Sequence, residues 1–267
     1  KNIMKSVSGN NWEEIDINKR LVEKIKIDYN LSDIICKLII SRNFSKFEID
    51  SINKKVGLIN PFIRNKDFIK GQDLLIKAIN NKDKIIVLGD YDVDGCVSTS
   101  LLINFFNKIN YPCDYFIPHR IKHGYGASIK SIKELIKKKP KLIIMLDCGS
   151  NSVDAINLLK KLNIKTMIID HHEIYKPYPK SDVLINPKKE SDYQELNYFC
   201  SAALTYFFID TIIRKKKLKI NFNENLIFVL LATICDVMPL RKINRLIAMN
   251  VFDNFALQDN YLFNKFL

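Results

Sequence analysis

Four short apolar segments of this chain end in side chains that bind metal ions. If three of these segments are strands of a parallel sheet, their carboxyl ends meet at the edge where ligands bind. Carboxylates and imidazoles gathered at one edge are typical of a site for two divalent cations. The segments and the residues that follow them are 85–89 with Asp90, Asp92 and Asp94; 142–146 with Asp147; 167–169 with Asp170, His171 and His172; and 228–235 with Asp236.

The segment 89–95, Gly-Asp-Tyr-Asp-Val-Asp-Gly, is the strongest of these signals. Three acids at alternate positions repel one another unless cations neutralise them. We expect Gly89 and Gly95 to permit a tight turn, and Ser98 to start the next helix, where backbone amides can face a phosphate. An EF-hand loop is excluded, because the apolar residues after Gly95 lack its acidic closing ligand. An acidic surface turn is the remaining alternative.

The tandem pair His171 and His172 is the second strong signal. A single histidine is more often a packed or surface residue than a ligand. This chain has only four histidines, and two of them stand together after an apolar run and Asp170. Asp147 and Asp236 are weak signals alone, so the prediction of a metal site rests on all of these residues together.

Length and composition indicate a packed protein without a membrane segment. The chain has 267 residues, of which 47% are hydrophobic, which is enough for a sizeable core. No apolar run approaches the roughly 18 residues that span a bilayer, and the N-terminus lacks the apolar block of a signal peptide. The six cysteines form no Cys-x-x-Cys pair, which favours reduced thiols. We therefore expect a cytoplasmic protein.

The net charge of +13 has two interpretations. A basic surface is typical of proteins that bind nucleic acids. The excess, however, consists of 35 lysines against 7 arginines in a chain also rich in Asn and Ile. That composition equally suggests a bias toward A/T-rich codons, so the charge alone does not identify the partner.

The pattern of apolar residues predicts an α/β fold with a Rossmann-like parallel sheet flanked by helices and an N-terminal helical extension. We expect three regions: the extension at 1–80, a catalytic domain at 81–240, and the start of a connecting helix at 241–267. The predicted strands are 84–89, 113–117, 141–147, 164–169 and 183–186. The predicted helices of the catalytic part are 97–108, 128–138, 152–162, 198–214 and 224–235.

The ordered motifs resemble those of the DHH phosphoesterases and, within them, the RecJ-type exonucleases specific for single-stranded DNA. The resemblance covers nearly the whole chain. It implies a phosphodiester hydrolase that acts from the 5′ end in DNA repair and recombination, with single-stranded DNA as its partner; we expect a monomer. The motifs that carry the resemblance are 89–95, 117–120, 124–126, 146–149, 170–172, 186–187, 232–240 and 244–245.

The same resemblance implies a role for each candidate residue. The cofactor would be two Mn²⁺ ions, with Mg²⁺ as a weaker substitute. Asp147 would bridge the two ions, and His172 would approach the scissile phosphate. Asp90 would be a ligand or would support one, and Asp170 would orient an imidazole. The remaining ligands would be Asp92 on the first ion, and Asp94, His171 and Asp236 on the second.

Three residues are candidates for binding the substrate. Arg120 follows a predicted strand, and its guanidinium can hold a phosphate through two hydrogen bonds; an ordinary surface arginine is the alternative. Tyr125 could stack on a base or simply pack. Ser98 is the third candidate, at the expected start of its helix.

The chain departs from the family pattern at four positions. Leu88 stands where many members have a histidine, which implies a weaker first metal site. His119 replaces an expected Asn or Asp, and Ser201 and Ala203 replace expected glycines, which puts close approach of the substrate there in question. The second lobe of the family, with its glycine-rich motif, is absent from this sequence, and a first residue of Lys1 suggests a fragment.

Two other functions fit the same residues. One is a DHH phosphodiesterase that acts on short oligonucleotides or cyclic dinucleotides. The other is a relative that binds DNA without catalysis, although such proteins are expected to lose metal ligands. Because Asp92, Asp94, Asp147, His171 and Asp236 are all present, we favour the nuclease.

Overall fold

A computed structural model describes residues 4–13, 15–53, 56–189 and 194–254. The chain forms two compact units, one up to Gly57 and the other from Leu58 onward. This boundary lies earlier in the sequence than residue 80, the expected end of the helical extension.

Within its described residues, the first unit contains three helices and one small antiparallel pair of strands. Its helices pack around a core of Val22, Ile25, Leu31, Cys36 and Ile39. The strand pair was not predicted, because two-residue strands leave no periodic pattern. The elements are β1 (Met4–Lys5), β2 (Asn11–Trp12), α1 (Lys19–Tyr29), α2 (Asp33–Ser41) and α3 (Lys46–Asn53).

The described part of the second unit is built on a five-stranded sheet in which every pairing is parallel. The strands stand in the order β4-β3-β5-β6-β7. All five predicted strands are present, each shorter than predicted by one residue at one or both ends. They are β3 (Ile85–Leu88), β4 (Asp114–Phe116), β5 (Leu142–Leu146), β6 (Lys165–Ile169) and β7 (Val183–Ile185).

Helices cover both faces of this sheet. Alternate residues of β3 belong to two different apolar clusters: Ile85 and Val87 to one, and Ile86 and Leu88 to the other. Burial on both faces explains why the central strands are continuously apolar. The helices are α4 (Lys66–Asn80), α5 (Val93–Lys108), α6 (Arg120–His123), α7 (Ile129–Lys137), α8 (Val153–Lys161), α9 (Ser201–Lys216), α10 (Leu226–Cys235) and α11 (Lys242–Asn254).

The α/β fold with a parallel sheet is therefore confirmed. Helix α4 belongs to the second unit, because Phe68, Leu75 and Ala78 lie in the larger apolar cluster and the helix contacts β7. Helix α11 occupies the first part of the segment expected to lead toward a second lobe, and the rest of that segment lies outside the described residues.

No helix among the described residues is long and apolar enough to cross a membrane. All six cysteines are free; Cys96 and Cys235 are exposed, and Cys36, Cys148 and Cys200 are buried.

Candidate metal centre

The order of the strands creates one natural binding edge. The chain runs from β3 outward to β4 and then returns to β5 on the other side of β3. Such a reversal separates the connections that leave neighbouring strands, so a crevice opens at their carboxyl ends. Asp90 lies just beyond β3, and Asp147 directly follows β5. The sheet topology therefore brings together two acidic segments that are more than fifty residues apart.

One group of possible ligands surrounds the imidazole of His171. Its Nε2 lies 3.6 Å from Asp94 Oδ2 and 3.4 Å from Asp236 Oδ2. The three residues offer ligand atoms within 4.8 Å of one another. His171 and Asp94 are buried, while the Asp236 side chain is 28% exposed. Because Asp236 ends α10 and His171 follows β6, this group joins a helix end to the sheet edge.

Asp147 lies at the centre of the cluster that the candidate ligands form. Its Oδ1 is 3.4 Å from His171 Nε2 and 3.7 Å from His172 Nδ1. It also shares a second possible ligand group with Asp90 and Asp92. The side chain is fully buried, and neither carboxylate oxygen has a hydrogen-bond partner among the described residues. Burial, together with the nearby carboxylates, raises the pKa of Asp147 to about 12.

Asp90 and Asp92 differ in their exposure to solvent. Asp90 is fully buried, and its two carboxylate oxygens have no partner within the described segments. Burial raises the pKa of Asp90. Asp92 is exposed and accepts a hydrogen bond from the Gly95 amide at 2.9 Å. This part of the site is formed by oxygen atoms alone, which suits hard divalent cations.

The hydrogen bond to Asp92 also corrects the predicted start of helix α5. Because Asp92 is the N-cap, the helix begins at Val93 rather than near residue 97. Asp94 and Gly95 then lie in the first turn, and Ser98 lies in the second. The prediction that Ser98 starts the helix was therefore wrong, and Ser98 is fully buried in the second turn. A direct contact of Ser98 with substrate therefore has no support in this structure.

The role expected for Gly89 and Gly95 also changes. Neither has the positive φ that would require glycine for a tight turn. Glycine is needed for space instead. A Cβ at Gly95 would lie 2.7 Å from backbone atoms of Asp90, and one at Gly89 would lie 2.0 Å from Thr99 Oγ1. The absent side chains allow α5 to pack directly onto the backbone that carries Asp90.

Replacing Gly95 by Ala is therefore expected to displace Asp90 and weaken metal binding by at least about tenfold, the lower end of the loss when a supporting contact is removed. Calorimetric titration with Mn²⁺ measures this effect. Gly57→Ala is the matched control, since a Cβ at Gly57 meets no atom within 4 Å. Equal Mn²⁺ affinity in the two variants would show that the close contact does not matter.

Asp170 holds His172 rather than entering the ligand groups. His172 donates from Nδ1 to Asp170 Oδ1 at 2.8 Å. Burial alone would raise the pKa of Asp170, but this hydrogen bond and those from Ser150 lower it to about 2. The hydrogen bond to Asp170 in turn raises the pKa of His172. The carboxylate thus fixes which ring nitrogen carries the proton and leaves Nε2 facing Tyr125 at 3.0 Å.

Several supporting contacts were missed in the sequence. Ser150 donates its amide to Asp170 Oδ2 at 3.0 Å, and Asn186 donates to Ser150 Oγ and to the His172 carbonyl. The amides of Ser201 and Ala202, at the start of α9, donate to the two oxygens of Asp94 at 2.7 and 2.8 Å. The segment around Ser201 thus holds a candidate ligand through its backbone. The Asn-Pro motif at 186–187 was a signal in the sequence for the contacts of Asn186.

An aromatic and cationic patch borders the cluster. The Arg120 guanidinium lies 5.6 Å from the centre of the Tyr91 ring. The rings of Tyr91 and Tyr125 meet edge to face, and the ring of Tyr125 in turn approaches His172. Arg120 is exposed and forms no ion pair within the described part of the chain. Tyr91 was not among the predicted substrate residues, although its position between Asp90 and Asp92 could have suggested it.

Comparisons with known proteins identify a family and several similar proteins. The model of the DHH family, N-terminal domain, matches residues 84–234. The single-stranded-DNA-specific exonuclease RecJ of Bacillus subtilis is 26% identical over 240 residues, which cover 89% of this chain and 30% of that protein. The protein of the same name from Haemophilus influenzae is 31% identical over 185 residues, covering 66% of this chain and 32% of that protein.

Solved structures support the fold. The crystal structure of RecJ in complex with Mn²⁺ from Thermus thermophilus aligns with a TM-score of 0.71 and 20% identity, over 88% of this chain and 33% of that one. A second RecJ exonuclease structure bound to manganese gives 0.63 and 24% identity, over 74% of this chain and 48% of that one. The chain spans about a third of the curated relatives named above. Because the family model covers more than half of the sequence, the chain belongs to the DHH family.

Proposed function

We propose that this chain carries the catalytic centre of a metal-dependent exonuclease that hydrolyses single-stranded DNA from its 5′ end. One observation carries the proposal: Asp90, Asp147 and His171 are buried at one crevice with ligand atoms that have no partner among the described residues. Buried polar atoms are normally satisfied, so such a cluster supports a bound cation. The names of the relatives support single-stranded DNA as the substrate.

The donor atoms of the cluster fit two divalent cations. Carboxylate oxygens predominate, which suits Mg²⁺ or Mn²⁺, and the imidazole of His171 favours Mn²⁺. Ions bound in such a site activate water and stabilise negative charge on phosphate oxygens. Asp147 belongs to groups on both sides, which supports a bridging position. The proposed ligands are Asp94, His171, Asp236 and Asp147 for one ion, and Asp90, Asp92 and Asp147 for the other.

His172 is proposed to contact the reacting phosphate. The hydrogen bond to Asp170 fixes its ring and favours its protonated form, so Nε2–H can donate to a phosphate oxygen. In this structure that nitrogen is hydrogen-bonded to the hydroxyl of Tyr125. Burial raises the pKa of Tyr125, so its hydroxyl keeps its proton and remains a donor. An entering phosphate would therefore meet two aligned donors, one from each side chain.

Arg120 and its aromatic neighbours are proposed to hold the DNA strand beside the cluster. The Arg120 guanidinium has no carboxylate partner among the described residues, and stacking over Tyr91 limits its freedom of movement. A guanidinium held in this way can donate two parallel hydrogen bonds to the oxygens of a phosphate. Tyr125 is 54% exposed, so its ring can stack on a base, an interaction that does not depend on sequence.

Arg120→Ala is expected to raise KM about tenfold or more and to change kcat less, because Arg120 binds the substrate in both the ground state and the transition state. Arg120→Lys should give a smaller effect, since it keeps the charge but loses the two-pronged geometry. Steady-state kinetics on a labelled single strand measures both constants. Arg64→Ala is the control, an exposed arginine outside the candidate cluster. A fall in kcat at unchanged KM would contradict this role.

The function itself is tested with purified protein, Mn²⁺ and strands labelled at the 5′ or the 3′ end. We expect early release of the 5′ label as mononucleotide from single strands and little release from blunt duplex. The Asp147→Asn variant, prepared identically, reports any contaminating nuclease. Hydrolysis of dinucleotides or cyclic dinucleotides, with longer strands untouched, would identify a phosphodiesterase instead. Binding without hydrolysis of any of these substrates would identify a non-catalytic relative.

A further inference from the structure

Asn244, on helix α11, is a fully buried residue whose side chain joins two distant backbone segments. Its Nδ2 donates to the carbonyl of Tyr198 at 2.7 Å and to the carbonyl of Pro239 at 3.1 Å. Its Oδ1 has no partner within the described residues. The amide is therefore oriented by its two donated hydrogen bonds, since the opposite orientation would place an oxygen against two carbonyl oxygens.

Both acceptor carbonyls belong to segments that carry or hold candidate ligands. Tyr198 lies three residues before Ser201, whose amide and that of Ala202 bind the carboxylate of Asp94. Pro239 lies three residues after Asp236, in the loop that leaves α10. Asp94 and Asp236 meet at His171 Nε2, at 3.6 and 3.4 Å. Asn244 thus connects the two protein segments whose separation sets the distance between the carboxylates of Asp94 and Asp236.

We propose that Asn244 is a positioning residue for the cation held by Asp94, His171 and Asp236. This inference rests on the proposed function, because it assumes that the group binds a divalent ion. Two donated hydrogen bonds from one nitrogen fix the loop after Asp236 against the start of α9. The distance between the Asp94 and Asp236 carboxylates then stays matched to one ion without any contact between Asn244 and that ion.

The side chain of asparagine suits this task better than the alternatives. Two N–H groups on one uncharged nitrogen reach two carbonyls, whereas serine offers one donor and aspartate offers none when ionised. Glutamine would add a methylene in a fully buried place, where extra volume forces neighbouring groups to move. Supporting contacts of this kind, when removed, weaken metal affinity by about 10–100-fold.

The experiment compares Mn²⁺ binding by the wild-type chain and by variants, using calorimetric titration and the electron paramagnetic resonance of free Mn²⁺. Asn244→Ala is expected to raise the dissociation constant of the tighter Mn²⁺ site about 10–100-fold. Asn244→Ser keeps one donor and should give an intermediate effect. It also serves as the second variant if Asn244→Ala fails to fold, which circular dichroism detects.

The matched control is Asn225→Ala. Asn225 is also buried, donates to a backbone carbonyl, that of Phe222, and bonds to the side chain of Asn104, but it touches none of the candidate ligands. This variant should lose thermal stability and keep the Mn²⁺ affinity of the wild type. An equal loss of Mn²⁺ affinity in Asn225→Ala would overturn the inference, because general destabilisation would then explain both effects.

The remaining outcomes separate this inference from the function on which it rests. Unchanged Mn²⁺ affinity in folded Asn244→Ala or Asn244→Ser, with normal binding by the wild type, would overturn the positioning role and leave the metal centre intact. No Mn²⁺ binding by the wild-type chain would overturn the proposed function itself. A graded loss from wild type through Asn244→Ser to Asn244→Ala, absent in Asn225→Ala, is the result that supports the inference.

Discussion

Asp147→Asn is expected to lower the hydrolytic activity more than about 100-fold and, at the same time, to stabilise the metal-free protein. The loss of activity should exceed the roughly 10–100-fold typical of a supporting contact, because Asp147 belongs to the ligand groups on both sides of the crevice. Asparagine has nearly the same shape, and it tolerates the positive φ of 60° found at this position.

The gain in stability follows from the direction of the pKa shift. Burial and neighbouring carboxylates raise the pKa of Asp147 to about 12 in the metal-free fold, whereas an unfolded aspartate titrates at about 4. Above that lower pH, folding must bury the charge or take up a proton. The free energy of unfolding of the metal-free wild type should therefore fall as pH rises from about 4. The substituted asparagine carries no charge, so this cost disappears in the variant.

Thermal unfolding in EDTA and in Mn²⁺ measures the effect. In EDTA at neutral pH we expect the Asp147→Asn variant to be more stable by up to about 4 kcal/mol, because the wild type must take up a proton on folding over roughly three pH units, at about 1.4 kcal/mol per unit. Mn²⁺ at about 100 times its dissociation constant should stabilise the wild type by about 2.7 kcal/mol and the variant by much less. A variant less stable than the wild type in EDTA would contradict the unpaired state of Asp147.

Asp182→Asn provides the matched control. The Asp182 carboxylate accepts hydrogen bonds from Lys165 Nζ and from the Thr166 amide, at 2.8 and 2.9 Å, so it is a paired carboxylate at the other end of the same sheet. Removing its charge should destabilise the protein and leave Mn²⁺ binding unchanged. Stability changes of opposite sign in the two variants would distinguish the unpaired aspartate of the metal cluster from an ordinary, paired aspartate.

The sheet could be predicted from the sequence because burial on both faces makes each central strand a continuous apolar run. The same logic predicted that acids after β3, β5 and β6 meet at one edge, since parallel strands end together. Helix α5 was misplaced because Asp92 serves two purposes: its carboxylate caps the helix while remaining a candidate ligand. A sequence pattern indicates which residues are candidate ligands, but not which of them also cap a helix.

The supporting contacts could not be predicted, because they join residues far apart in sequence and often use backbone atoms. The Ser201 amide binds Asp94 across 107 positions, and Asn244 reaches Tyr198 across 46. A backbone amide donates whatever side chain its residue carries, so the serine and alanine at 201 and 202 gave no hint. These contacts become visible only once the ends of α5, α9 and α11 are brought together.

Chelation is expected to abolish hydrolysis, and Mn²⁺ is expected to restore it more fully than Mg²⁺ at equal concentration. The cluster holds several carboxylates around His171, so without cations the phosphate of the substrate would meet repulsion instead of attraction. The imidazole nitrogen accounts for the order of the metals, because nitrogen ligands favour Mn²⁺ while Mg²⁺ prefers oxygen. Activity assays after EDTA treatment and dialysis, with each metal added back, give the result.

His171→Asn tests the cause of this preference. An amide oxygen in place of the imidazole leaves a ligand set made of oxygen atoms, so the variant should lose activity and the advantage of Mn²⁺ over Mg²⁺ should shrink. The other group, Asp90, Asp92 and Asp147, contains no imidazole, and Leu88 offers no ligand there. At low Mn²⁺ the site at His171 should therefore fill first in crystals of the wild type. Full activity in chelator would refute the metal centre, and an undiminished Mn²⁺ preference in His171→Asn would show that the preference arises elsewhere.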